Sequence, residues 1–148
     1  MLTKIKKKTE GFTIVEVMIV LAIAGLILLV VLLAVPALNR NARNNRRRTD
    51  VTALLGAINE YSNNSSGELP GVASDFTDYA RLSFYEATDV DYVESSTAVG
   101  TDQNTVYVRT FAKCAGNEIT GDEATRRNVV AYFFVETPGS VISQCQET

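Results

Sequence analysis

The sequence predicts an α+β chain: one long N-terminal α-helix, membrane-spanning and then amphipathic, whose second half packs on a small antiparallel β-sheet head. Three observations carry this expectation. Residues 12–38 are an apolar run whose sole charge is Glu16. Val51, Leu54, Leu55, Ile58 and Tyr61 then recur at i, i+3, i+4, i+7 and i+10, the apolar stripe of an amphipathic helix. Finally, 105–114, 128–136 and 140–147 are strand-like, rich in Val, Tyr and Phe or alternating in polarity.

Each element follows from its own residues. Residues 1–11 carry four lysines against Glu10 and precede the apolar run. From Val17 to Val35 that run is apolar throughout except for Gly25, and about 20 such residues cross a bilayer core of roughly 30 Å. Lysines stand before it and arginines after it, so charge counting sets no orientation. Residues 39–62 continue the helix with a polar face, although the asparagines at 39, 41, 44 and 45 are weak helix formers. "NNSSGELPG", 63–71, is a stop, and the head runs from 63 to 148. Within it, 75–87 reads as a short helix or structured loop, and "TPG", 137–139, as the turn between the last two strands.

At 148 residues the chain has room for one modest domain and an anchor. Its net charge of −3 hides an asymmetry: five arginines within 40–48, then fifteen acids against five bases from Asp50 onward. Such an acidic head argues against nucleic acid as its partner, because phosphate contacts need clustered Lys and Arg. The absence of histidine excludes His-based acid–base catalysis and His-ligated metals. No nucleophile–base pair is visible, so neither enzymatic activity nor a cofactor is expected, and no catalytic residue is assigned.

Cys114 and Cys145 are an even pair late in a chain with an exported look; a disulfide is the first reading, two buried thiols the other. Asp89, Asp91 and Glu94, with Asp102 beyond, are weak calcium candidates. They lack the glycine an EF-hand loop needs after its third ligand position, and a solvated acidic loop is the plainer reading. Asn63 and Asn64 begin N-x-S sequons, and Tyr79, Phe84, Tyr85 and Tyr92 read as packing rather than a carbohydrate platform.

Glu16 admits three readings. A secretory signal fits poorly, since the run is long, charged and without an A-x-A exit. Thr13-Ile14-Val15-Glu16 also matches the S/T-x-x-E capping box. In the third reading the chain is cut between Gly11 and Phe12, which leaves an α-amino group at Phe12, about one turn from Glu16. An ionisable group in hydrocarbon is tolerated when paired, and pairing between chains would make Glu16 a register pin.

These residues carry a resemblance. "KKKTEGFTIVEVMIVLAIAGLI" resembles the class III signal peptide of type IV prepilins. The resemblance implies that a prepilin peptidase/methyltransferase cuts after Gly11 and N-methylates Phe12, and that Glu16, fifth in the mature chain, serves assembly. Residues 46–70 are similar to the amphipathic half of the pilin helix, and the two cysteines to the family's disulfide-closed region, which implies a Cys114–Cys145 bond. Pro36 lies a few residues beyond the usual pilin proline, and 72–104 matches no part of the pattern.

What the resemblance implies is a pilin fold and a structural subunit of a type IV pilus. It would be held in the cytoplasmic membrane with its head outside, then polymerised with copies of itself by a pilus assembly platform into an extracellular filament. The implied organisation is a leader (1–11), an assembly half (12–38), an amphipathic half (39–62) and the head (63–148). A helix from Thr13 to about Ser62 would be roughly 75 Å long. Two alternatives stand beside this reading: a pseudopilin of a type II secretion or DNA-uptake machine, and a membrane-tethered extracellular binding domain. In a filament Arg40, Arg43 and Arg47, on one helical face, are expected to meet a neighbour's Asp75, Asp78 or Glu86.

Overall fold

The computed structural model describes residues 11–94, 96–121, 124–125 and 127–148; the expected leader, apart from Gly11, lies outside the described residues. The chain divides into two units, one ending at Leu38 and the other comprising Asn39–Thr148.

The first unit is the beginning of helix α1 (Ile14–Asn64). From Phe12 to Pro36 every residue is exposed, large apolar ones included, so this stretch is hydrophobic all round and buried against nothing. It is long and apolar enough to cross a membrane. Pro36 lies inside α1 without ending it.

In the second unit α1 becomes one-sided. Val51, Leu54, Leu55, Ala57 and Ile58 are buried while Thr52, Gly56, Asn59 and Glu60 stay exposed. The helix ends two residues later than expected, in a Schellman arrangement: the Gly67 N–H donates to the Ser62 carbonyl at 2.7 Å, and Ser66 takes the left-handed position at φ 59°. The four-residue helix α2 (Ser74–Thr77) and a 3₁₀ turn (Ala87–Asp89) occupy much less of 75–87 than a helix through that segment would.

The main sheet has the order β1 (Val90–Val93), β2 (Val106–Thr110), β5 (Val129–Thr137), β6 (Ser140–Glu147). The three strands expected from sequence are β2, β5 and β6, and both of their pairings are antiparallel. Two features differ from expectation. β1 pairs parallel with β2, so the sheet is mixed; residues 94–105 supply the dozen or so residues such a return needs. The run 105–114 is also broken, because Phe111 adopts φ 54° and ends β2. The chain then forms a separate antiparallel pair, β3 (Lys113–Ala115) with β4 (Glu118–Thr120).

β5 and β6 turn at Pro138-Gly139, with Gly139 at φ 87°, the residue pair a type II turn requires. Alternate residues Ala131, Phe133 and Val135 of β5 join Val106 and Val108 of β2 and the α1 stripe in one core, closed by Phe76, Tyr85 and Val90. The fold is therefore α+β, with a long helix and a small sheet whose inner face it covers.

Candidate functional site

At the start of α1, Thr13 is placed to receive the helix's first turn. Its N–H and its hydroxyl both donate to Glu16 Oε2 at 2.8 Å, and the Glu16 N–H points back to Thr13 Oγ1 at 3.3 Å. This is the capping box in full, so Glu16 closes the helix terminus of its own chain. Both of these donors sit on one carboxylate oxygen. Phe12 beside it is 89% exposed, and among the described residues nothing lies within 4 Å of where a Cβ at Gly11 would stand.

Two arginines of the cluster have a partner within the chain that sequence reasoning did not name. Arg43 Nε donates to Glu136 Oε1 at 2.9 Å and its Nη2 to Oε2, and Arg47 Nη2 stands 3.6 Å from Oε1. Asn44 reads the backbone of the same residue: its amide donates to the Glu136 carbonyl at 2.7 Å and accepts the Glu136 N–H at 2.8 Å. Arg47 is buried, donates to the Phe134 carbonyl at 3.1 Å and lies 4.4 Å over the Phe84 ring. Within the subunit, Arg43 and Arg47 therefore meet Glu136 of their own chain. The reason is the β5–β6 turn, which brings Glu136 to α1 although it is more than 90 residues away in sequence. The hydrogen bond from Arg43 holds the Glu136 carboxyl below the usual range.

Sequence reasoning missed Asp50 as a structural residue. It is fully buried and accepts from Ser83 N–H and Oγ, Phe84 N–H and Tyr85 N–H at 2.6–3.0 Å, tying the chain before the 3₁₀ turn to α1. A signal existed: Asp50 stands four residues before Leu54 and seven before Ala57, on the stripe itself. Arg109 is similar, a cation in the middle of a strand. It is 3% exposed and holds the Asp91 carbonyl at 2.6 Å, the Asp91 carboxylate at 3.1 Å and the Ala98 carbonyl at 2.7 Å.

The calcium candidates are spread over different tasks. Asp89 accepts the Glu86 N–H at 2.8 Å, Asp91 pairs with Arg109, and Glu94 lies in an exposed turn. Among the described residues no group of three or more His, Cys, Asp or Glu is arranged to hold a metal. Phe84, Tyr85 and Tyr92 pack on or in the core, whereas Tyr79 is 70% exposed. Burial pushes the Tyr85 and Tyr92 phenols up to about 12. Cys114 of β3 and Cys145 of β6 are joined in a disulfide, their Cα atoms 5.6 Å apart.

With Gly11, Phe12, Glu16 and the uncovered apolar helix in place, the comparison with known families is decisive for this end of the chain. Residues 6–32 match the prokaryotic N-terminal methylation motif. The segment is a class III signal peptide of type IV pilins and pseudopilins. This match covers residues 6–11 of the expected leader and the first part of α1, and leaves the head outside it. No curated protein and no solved structure matches the chain significantly.

Proposed function

We propose that the chain is the precursor of a type IV pilin, a structural subunit without enzymatic activity of its own. A prepilin peptidase/methyltransferase cuts it after Gly11 and methylates the new amine of Phe12. The mature subunit waits in the cytoplasmic membrane with its head outside. An assembly platform then polymerises it with its copies into an extracellular pilus. One observation carries this reading: a helix apolar on every side, exposed from Phe12 to Pro36, with one carboxylate in its first turn just after a Gly-Phe junction. Moving such a helix from lipid into a bundle of its copies keeps its surroundings apolar, so packing and the Glu16 pair must supply direction.

The capping box supports a further detail. Before assembly Thr13 satisfies one oxygen of Glu16, which lowers the cost of keeping the carboxylate in hydrocarbon. The Phe12 amine of the same or a neighbouring helix is the partner that completes it. A pseudopilin shares this chemistry; the Cys114–Cys145 bond in the head favours the pilin reading.

Mass spectrometry of the N-terminus of surface protein tests the proposal. The expected chain starts at N-methyl-Phe12; an intact Met1, or a start beyond Ala37, overturns it. Glu16→Val is expected to insert normally, since valine is cheaper in lipid, and to stop filament formation. Normal filaments from that variant would refute the register-pin role. Full membrane retention with no filament from the native chain would favour the tethered binding domain.

A further inference from the structure

Between β2 and β5 the chain leaves the main sheet at Phe111 and returns at Asn128, where the Phe111 N–H donates to the Asn128 carbonyl at 2.8 Å. The excursion has its own two-stranded sheet, β3–β4, which turns at Gly116 (φ 66°) and has no strand pairing with the main sheet. Of its described residues beyond Ala112, namely 113–121, 124, 125 and 127, none is buried, and none belongs to the core. β3 and β4 lie against β5 and β6. The covalent tie between them is Cys114–Cys145, beside which the Cys114 N–H donates to the Glu147 carboxylate at 3.2 Å.

A hairpin with only partly buried side chains gains little from apolar burial, and a two-stranded pair alone is marginal in water. The rest of the head has the opposite character. Its core cluster is built from α1, β2 and β5 and closed by Phe76, Tyr85 and Val90, and none of the described residues 113–121, 124, 125 and 127 belongs to it. Cys145 stands opposite Tyr132 in the β5–β6 register, and Tyr132 alternates with the core residues Ala131 and Phe133, so it faces away from α1. Both cysteines are half-buried, within reach of a small thiol.

We infer that the β3–β4 excursion is a redox-held flap over the outer face of β5–β6, fastened by Cys114–Cys145 and released as a unit when a dithiol reduces that bond. In the release a thiolate of the dithiol attacks one cysteine sulfur, the S–S bond breaks, and the other cysteine leaves and takes a proton. The second thiol of the reagent then displaces the first cysteine. The dithiol ends as a disulfide and the chain gains two hydrogens. Lifting the flap uncovers the Tyr132 side of the sheet while the core stays closed. This opening is independent of whether the chain forms pili.

Hydrogen exchange read by mass spectrometry on the folded, detergent-solubilised full chain, before and after dithiothreitol, tests the inference. Peptides within 113–125 are expected to exchange at least about tenfold faster after reduction, as loss of a loop-closing cross-link implies. Peptides covering 51–58 and 129–135 are expected to keep their rates. The double variant Cys114→Ser/Cys145→Ser, without reductant, should reproduce the reduced pattern, which separates loss of the bond from an effect of the reagent. Acceleration of the core peptides in step with the flap overturns the inference, and so does an unchanged rate in the flap.

Discussion

Leu26 and Leu54 are the same residue type in the same helix, yet Leu26 is 62% exposed and Leu54 is completely buried. The run around Leu26 is apolar on every side, whereas Leu54 sits on a one-sided stripe to which the head supplies a packing surface. Around Leu54, β2 and β5 do so. Around Leu26 none of the described residues does so. A helix can thus be specified along its whole length by sequence while the packing of its first part is left unmet by the described chain. For the pilin precursor proposed above that would be the useful arrangement, because the head's core includes no residue of the anchor.

The sharpest way to break this comparison is a matched pair of truncations. Leu54→Ala is expected to destabilise the head by about 4 kcal/mol, the loss of burial plus a cavity. Leu26→Ala should leave urea unfolding of the head unchanged, because the head's core includes no residue of the first unit. Equal effects of the two would mean that the head depends on the first half of the helix.

Asp50→Ala probes the polar side of the same contact. It strands the donors of Ser83, Phe84 and Tyr85 in a buried place and is expected to cost about 3 kcal/mol, read from the same urea curves. A cost as small as that of an exposed substitution would show the 83–85 segment to be held otherwise.

A third test uses alkali. Tyr85 and Tyr92 have phenols raised above the ordinary 10, to about 12, chiefly by burial. A group raised in the folded state contributes stability that is complete below the unfolded value and lost as pH rises through the folded one. The head should therefore lose stability between about pH 10 and 12, read from urea unfolding at each pH. Phe replacements at both positions should flatten that loss.

The smallest effect belongs to Glu136. Its carboxyl is lowered by Arg43, so its contribution is present above the ordinary carboxylate value and lost as pH falls through the lowered one. Glu136→Gln should remove that acid dependence and change neutral stability little, because the pair with Arg43 is solvent-facing. Salt should weaken the native pair and leave the variant unaffected.

Local chemistry made the N-terminal end legible. Thr13 and Glu16 lie three apart and meet across one turn, the Gly-Phe junction is contiguous, and an apolar run needs no partner to be recognised. The strands β5 and β6 and their Pro-Gly turn were readable for the same reason. By contrast, the parallel β1 strand has no period of its own in four residues, and β3–β4 appears only because Phe111 turns out of β2.

What the sequence by itself determined about this protein is everything encoded within a turn or a strand: the signal peptide, the capped apolar helix, the amphipathic stripe and the strands that cover it. Tertiary structure alone decided which distant groups meet. Asp50 found the 83–85 backbone, Arg109 fastened the crossover loop, and Arg43 and Arg47 paired with Glu136. A charge declares its need for a partner in the sequence. The partner's identity is settled by which long-range approach satisfies it at the least cost in desolvation and chain entropy.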